Sequence, residues 1–304
     1  MIQQLNGQEI EIRGKKLYVE RYGDLDKPAI LYLHGGPGEG CHDFSFHQAE
    51  RLGKHFHLIL IDQRGVCRSE NIKKGEPFGF QDLIDDCEAL REHLHIKKWS
   101  LIGHSFGGFL ALAYVRQHPD SIEKVIFEGP TFDFERTSRS LIKKTAQLLK
   151  KYGKYELYEK GLLLAEGENY SIRELTEEYM KLSDELGEHR MEIYRHNHNN
   201  PTDYYSFYSE DEWDVFYDRS EHHYNVLREE GKIFDSLLNE IQYVKNPMLL
   251  IVGKYDACTC EKHFEVFERD AINGETFIFE ESGHTPHYEE AERFKEVVIA
   301  YLQS

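Results

Sequence analysis

The segment from Trp99 to Pro119, WSLIGHSFGGFLALAYVRQHP, places a serine among glycines at a change of sequence pattern. A short apolar run precedes Ser105, and a helix-like apolar pattern follows it. Gly103, Ser105 and Gly107 match the G-x-S-x-G spacing, in which a strand turns abruptly into a helix and presents the serine oxygen at the tip of the turn. A chain of this length shows that spacing by chance about one time in ten, so the surrounding sequence has to support the interpretation.

Short, nearly continuous apolar runs occur along the chain and are typical of strands buried on both faces. They are AILYLHGG, HLILIDQRG, WSLIGHS, KVIFEGP, PMLLIVGKYD and TFIFEESGH. Helical patterns separate several of them, and this alternation predicts an α/β fold with a mostly parallel, doubly wound sheet. Before this sheet, EIEIRGKKLYVERYG alternates apolar and polar residues and predicts a hairpin that turns at Gly14 and Lys15.

One long interval, residues 131–246, contains no convincing buried strand. Its helical patterns are rich in Lys, Glu and Tyr, and Ser171 with Glu174 forms a capping-box pattern for a helix that we expect to end at Gly187. We therefore predict an inserted helical cap over 131–246 and an α/β core made of residues 1–130 and 247–304.

Composition narrows the classes of partner. The formal net charge of −18 argues against nucleic acid and anionic membranes as partners and favours small cationic ligands.

No apolar run approaches about 18 residues, so we expect neither a membrane span nor a signal peptide. Five scattered cysteines suit reduced thiols in the cytoplasm. The histidines form no HExxH pattern, and we expect no metal and no cofactor.

Polar motifs follow the predicted strands at their carboxyl ends, where open α/β sheets bind ligands. The third strand is followed by HGGPG at 34–38 and the fourth by DQRGVCRS at 62–69, and Ser105 follows the fifth. Asp256 stands at the tip of the first strand after the insertion, and His284 at the tip of the last strand. The order Ser, Asp, His is the one used with a G-x-S-x-G turn in this type of sheet.

Both later positions have alternatives. Asp256 is favoured because it directly follows its strand, although a turn aspartate would also fit there. His287 lies three residues beyond His284, which we favour because it follows Gly283 at the strand end.

These motifs carry a resemblance to a known family. The chain resembles the α/β-hydrolases and, within them, is similar to the proline iminopeptidases, whose HGGPG, DQRG and GxSxGG blocks stand here at 34–38, 62–65 and 103–108. The resemblance implies a serine hydrolase that releases N-terminal residues, proline preferred, from a short peptide or other small molecule. Cys67 departs from the family pattern, which has glycine in DQRGxGxS.

Acyl transfer assigns a role to each candidate residue. Ser105 would be the nucleophile, His284 the base that takes its proton, and Asp256 the carboxylate that orients the imidazole. Backbone N–H groups must stabilise the charge on the substrate carbonyl oxygen, and Phe106, directly after the nucleophile, supplies one. Gly36, or failing that Gly35, would supply the other.

The insertion offers acidic groups for a substrate ammonium. In SEDEWDVF, Glu212 and Asp214 flank Trp213, and we predict that these residues bind substrate, unless the acidic run is simply a solvated helix face. The same triad would also serve a carboxylesterase or lactonase that acts on small acyl substrates. A ligand-binding protein without turnover is the alternative from another class.

Overall fold

The computed structural model describes residues 7–197 and 204–304, which contain an eight-stranded sheet. The strands are β1 (Gly7–Ile12), β2 (Lys15–Tyr22), β3 (Ala29–Leu33), β4 (His57–Ile61), β5 (Trp99–His104), β6 (Ile122–Glu128), β7 (Met248–Gly253) and β8 (Gly274–Phe279). Their order across the sheet is β1-β2-β4-β3-β5-β6-β7-β8. All neighbours from β4 to β8 pair in parallel, and β2 joins β1 and β4 in antiparallel fashion. The predicted mostly parallel sheet is confirmed.

The β1–β2 hairpin turns one residue earlier than predicted. Arg13 and Gly14 form the turn with φ of 47° and 74°, and Lys15 already pairs with Ile12. Two consecutive positive φ values match the right-handed twist of the two strands, and glycine at the second position adopts this conformation without steric conflict.

Helices accompany the strands. They are α1 (His42–Leu52), α2 (Phe80–His93), α3 (Phe106–Gln117), α4 (Phe134–Lys151), α5 (Tyr155–Glu166), α6 (Ile172–Asp184), α7 (Glu210–Glu230), α8 (Glu261–Asp270), α9 (Pro286–Glu289) and α10 (Ala291–Gln303). In the described ranges, none of them is long and apolar enough to cross a membrane.

Two apolar layers enclose the sheet. One layer packs α2, α3 and α8 against it through residues such as Leu83, Phe109 and Phe267. The opposite layer packs α1 and α10 through Phe44 and Phe294. Helices therefore cover both faces, and the carboxyl ends of the parallel strands form a common edge.

Helices α4 to α7 all lie between β6 and β7 in the chain. A separate apolar cluster joins α4, α5 and α6 and includes Ala257 and Cys258, next to the end of β7. Helix α6 begins with the predicted capping box, because the Ser171 hydroxyl accepts from the backbone N–H of Glu174 and the Glu174 carboxylate accepts from that of Ser171. The helix ends at Asp184, and a short 3₁₀ segment, Gly187–Ile193, begins where the sequence predicts its end.

Candidate active site

Ser105 occupies a strained turn between β5 and α3. Its φ of 55° and ψ of −118° lie outside the regions that non-glycine residues ordinarily adopt. Its backbone N–H donates to the carbonyl of Glu128 at 3.0 Å, which ties the turn to the end of β6. A residue held in such a conformation costs on the order of 1–3 kcal/mol and persists only where its surroundings enforce it.

The glycines around Ser105 allow main chains to approach each other closely. A Cβ on Gly103 would lie 2.4 Å from the carbonyl oxygen of Gly107, and a Cβ on Gly107 would lie 2.0 Å from that of Leu33. A Cβ on Gly108 would lie 2.6 Å from Cβ of Pro130. Each side chain would clash, so the glycines are required by packing at the turn.

His284 and Asp256 lie together beyond the ends of β8 and β7. The His284 Nδ1 atom is 3.1 Å from Oδ1 of Asp256, and both side chains are almost fully buried. The backbone N–H of Cys258 also donates to Asp256 Oδ1, at 2.7 Å. The sequence placed these residues at two strand tips, and the structure brings them into hydrogen-bond contact.

The two groups favour each other's charged form. Burial alone raises the pKa of Asp256, but the charge and hydrogen bond of His284 outweigh burial and lower this pKa. Burial opposes protonation of His284, yet Cys258 and Asp256 outweigh it and raise the pKa of the imidazole above its usual range. Such pairing stabilises an imidazolium, the species that forms when a histidine accepts a proton from a serine.

His287 has different partners. Its Nδ1 lies 2.9 Å from Oε1 of Glu128, and its Nε2 lies 3.4 Å from Oδ2 of Asp43. Burial lowers the pKa of His287, but Glu128 and Asp43 together raise it to about 10. A buried imidazolium held between two carboxylates is not available as a base at neutral pH, so the geometry favours His284 over His287.

His104, the residue before Ser105, packs against His284. Its ring centroid lies 4.7 Å from that of His284, and its Nε2 lies 3.1 Å from the His284 carbonyl oxygen. Burial, with the nearby His284 and His287, holds the pKa of His104 well below its ordinary value. His104 is therefore a neutral packing residue beside Ser105.

The HGGPG loop lies against the serine turn. A Cβ on Gly35 would lie 3.1 Å from Cβ of Ser105, and Gly36 is exposed with φ of 108°. Phe106 is the first residue of α3, so its backbone N–H has no acceptor within the helix. The structure thus brings the two predicted sources of oxyanion donors, the 34–38 loop and the start of α3, to the same turn.

The DQRG loop braces this region through buried charge pairs. Arg68 lies 2.7 Å from Asp62 and 2.9 Å from Glu20, and Arg64 lies 2.6 Å from Asp86. Asp62 also accepts from the backbone N–H of Cys41 at 2.8 Å. These contacts connect the 62–69 loop to β2, to α2 and to the residue before α1.

The predicted substrate residues of the insertion lie in the first two turns of α7. The Glu212 carboxylate accepts from the backbone N–H and the hydroxyl of Ser209, both at 2.8 Å, so it caps the helix. Asp214 is exposed. Trp213 is buried, and its ring lies 5.3 Å from that of His42 at the start of α1. The contacts of Glu212 are those of a helix cap, and Trp213 joins α7 to the α/β portion.

Three further groups lie beside the site and were not predicted from the sequence. Glu39 follows HGGPG directly, and its carboxylate lies 4.0 Å from Nδ1 of His104. The carbonyl of Tyr194 accepts from the backbone N–H of His284 at 2.6 Å. Glu289 accepts from the N–H of Gly283 at 2.9 Å. Glu39 could have been recognised from the sequence, because it is an acidic residue directly after the glycine loop. Tyr194 and Glu289 belong to no motif that would have identified them.

Three side chains at this edge could also hold a metal ion. Asp256, Cys258 and His284 each offer a ligand atom, and these atoms lie within 4.8 Å of one another. A metal bound there would occupy the imidazole that Asp256 orients, so metal binding and base function would compete for His284.

Comparison with known proteins places this geometry in a family. The family model described as "alpha/beta hydrolase fold" matches residues 28–291. Proline iminopeptidases of Xylella fastidiosa (strain 9a5c) and Arabidopsis thaliana are 36% and 38% identical over 119 and 115 residues, which cover 38% and 37% of this chain. These matches span 36% and 29% of the relatives' own lengths.

A longer match is weaker. Proline iminopeptidase PfmaB of Pestalotiopsis fici is 24% identical over 302 residues, which cover 97% of this chain and 98% of that protein. Among solved structures, the proline iminopeptidase of Mycobacterium smegmatis aligns with a TM-score of 0.68 and 17% identity, covering 98% of this chain and 97% of that one. The enol-lactonase of Burkholderia xenovorans LB400 aligns at 0.64 and 20% identity, covering 98% and 100%. Both structures share the fold, and with the family match over 28–291 the conclusion is that this chain belongs to the α/β-hydrolase fold family.

Proposed function

We propose that this chain is a serine hydrolase in which Ser105, His284 and Asp256 form a catalytic triad. The observation that carries the proposal is the buried His284–Asp256 pair, held at 3.1 Å at the same sheet edge as the strained Ser105 turn. A buried carboxylate keeps its histidine in the tautomer that can accept a proton, and the turn exposes the serine oxygen.

The reaction would proceed in two steps, acylation of Ser105 and hydrolysis of the acyl-enzyme. The Ser105 oxygen forms a bond to the substrate carbonyl carbon while His284 takes the hydroxyl proton. The bond to the leaving group then breaks, His284 returns the proton to that group, and an acyl-enzyme remains. Water repeats the sequence on the acyl-enzyme and regenerates the serine.

Backbone donors would stabilise the intermediate. We assign the N–H groups of Phe106 and Gly36 to the oxyanion, with Gly35 as the alternative to Gly36. Loss of one such donor in a serine hydrolase costs on the order of 3 kcal/mol of transition-state stabilisation. The approach of Gly35 to Ser105 supports a donor from this loop.

The substrate we propose is a short peptide or similar small molecule from which one N-terminal residue, proline preferred, is released. The HGGPG, DQRG and GxSxGG motifs support this class, as do relatives named proline iminopeptidase. An esterase or lactonase activity is the competing assignment, because it requires the same groups.

Residues 131–246 would act as a cap over the core formed by 1–130 and 247–304. Two contacts support this role. The backbone of Ser220 on α7 leaves no room for a side chain at Gly38 of the glycine loop, and the Tyr194 carbonyl holds the His284 backbone. A cap at these positions would limit access to the serine and favour short substrates.

The cytoplasm is the compartment we propose. All five cysteines are free, and four of them are buried. This supports a reducing environment.

A substrate panel tests the function. Prolyl, alanyl and leucyl p-nitroanilides, simple p-nitrophenyl esters and small lactones would be compared at equal concentration. Preferential release from prolyl p-nitroanilide supports the peptidase. Turnover of esters or lactones alone would replace the peptidase with the competing hydrolase, and turnover of none of the substrates would contradict both.

A further inference from the structure

Glu39 reaches the space above the nucleophile. A Cβ on Gly35 would lie 2.8 Å from Oε2 of Glu39 and 3.1 Å from Cβ of Ser105. The carboxylate and the serine therefore border the same small volume over Gly35. The Glu39 side chain keeps 44% of its surface exposed, so part of it is accessible from solvent.

The Glu39 backbone is held in place from both sides. Its N–H donates to the carbonyl of Gly35 at 3.3 Å, and its carbonyl accepts from Sγ of Cys67 at 3.5 Å. Cys67 adopts φ of 42°, a left-handed conformation that glycine adopts more readily than other residues. Cys67 thus keeps the glycine-like backbone and adds a contact that anchors Glu39.

The basic side chain within ion-pair distance of the Glu39 carboxylate is an uncharged imidazole. Over residues 7–197 and 204–304, its ion-pair contact is with Nδ1 of His104, at 4.0 Å. Because burial keeps the pKa of His104 well below its ordinary value, that imidazole is neutral. A partly enclosed carboxylate next to a neutral ring gains stabilisation from any cation that enters the site.

Burial and the other surrounding charges act on Glu39 in both directions. Burial and the Asp43 carboxylate raise the pKa of Glu39, against smaller opposing effects of His284, His287 and Arg195. A raised pKa means that the surroundings of Glu39 disfavour its ionised form, and a bound cation would favour that form.

The chemistry of an aminoacyl substrate places its cation at this position. The α-ammonium nitrogen is two covalent bonds, of about 1.46 and 1.52 Å, from the carbonyl carbon that Ser105 attacks. Any group that binds this nitrogen must therefore lie close to the nucleophile, as Glu39 does. The carboxylate of Glu212 is instead engaged as the cap of α7.

We propose that Glu39 is the specificity-determining residue that binds the α-ammonium group of the N-terminal residue, or the ring ammonium of proline, while Ser105 attacks its carbonyl. This inference rests on the proposed triad. It assigns recognition of the amino group to the loop after β3.

A matched pair of esters separates the effect of the substrate ammonium charge from that of substrate shape. Proline methyl ester and cyclopentanecarboxylic acid methyl ester have nearly the same shape, but only the first carries an ammonium nitrogen. We expect the Glu39→Gln variant to lose roughly 10- to 100-fold in kcat/KM for the prolyl ester, the range for a hydrogen bond to a charged group. The cyclopentane ester should change less than about twofold, because Gln nearly preserves the shape of Glu.

Two variants serve as controls. Glu39→Asp keeps the charge but shortens the side chain, and it should retain more prolyl activity than Glu39→Gln. Glu50→Gln, an exposed change on α1, should leave both esters unaffected. Equal losses on both esters, or no loss on either, would overturn the assignment of Glu39.

The design separates this inference from the proposed function. Prolyl p-nitroanilide is assayed in parallel with the two esters. If wild type hydrolyses the esters but not the anilide, the peptidase proposal fails, while the ester pair still tests Glu39. If the wild type cleaves the anilide and Glu39→Gln cleaves it equally well, the peptidase stands and the role of Glu39 is refuted.

Discussion

The His284 imidazole lies 3.1 Å from Asp256, while His287, three residues later, lies 2.9 Å from Glu128. Two neighbouring histidines are thus divided between two acids at adjacent strand ends. The first pair lies at the serine turn, and the second belongs to a buried network with Asp43. This division leads to different predictions for the two histidines.

Replacement of the proposed nucleophile should abolish turnover without loss of structure. We expect Ser105→Ala to lower kcat by about 10⁴-fold or more, since triad residues act as a unit. A fluorophosphonate probe should label the wild type at Ser105 alone, as read by peptide mass spectrometry. Labelling at another serine, or a variant with near-native turnover, would refute the assignment.

The pH dependence of activity should report the His284–Asp256 pair. A base must be unprotonated, so kcat/KM should fall as the pH drops through the pKa of His284. Because that pKa is raised, the midpoint should lie above 6.5, the ordinary value of histidine. In Asp256→Asn, which removes the stabilising carboxylate, the His284 pKa measured by NMR should be lower. An unchanged pKa would show that Asp256 does not interact with the imidazole.

His287 should contribute to stability more than to chemistry. Its pKa rises from 6.5 to about 10 in the folded chain, so its stabilising effect is fully present below 6.5 and is lost as the pH rises toward 10. We expect the free energy of unfolding of wild type to fall over this range in urea titrations. His287→Gln should show a weaker dependence on pH.

Activity provides the complementary comparison of the two histidines. His287→Ala should retain far more kcat than His284→Ala under conditions in which both variants are folded. The reverse order would assign the base to His287.

Close packing at the turn can be tested with a single methyl group. Gly107→Ala places a Cβ 2.0 Å from the Leu33 carbonyl, and overpacking of this kind costs about 1–3 kcal/mol or more. Gly75→Ala is the control, because Gly75 has φ of 79° and no heavy atom within 4 Å of the added Cβ, so only the backbone conformation opposes it. Gly107→Ala should lower Tm and activity more than the control, and equal effects would contradict the packing argument.

The sequence by itself was sufficient for the sheet, the serine turn and the chain order of the candidate triad. Apolar runs bounded by glycine, as in WSLIGHS, indicate strands, because a strand that is buried on both faces of a sheet excludes polar side chains. Gly103 and Gly107 indicate the turn because a Cβ at either position would clash with a neighbouring main chain. Each signal is contained in a few consecutive residues.

Only the tertiary structure decided which groups meet. His284 and His287 are both candidates in the sequence, and their partners, Asp256 and Glu128, are far from them in the chain. The sequence predicts Glu212 as a cation-binding residue, and the structure shows its carboxylate capping α7 and Glu39 lying beside Ser105. Hydrogen bonds and charge pairs depend on distances of about 3 Å between side-chain atoms, and such distances between remote residues are set by the packing of helices on the sheet rather than by any local pattern.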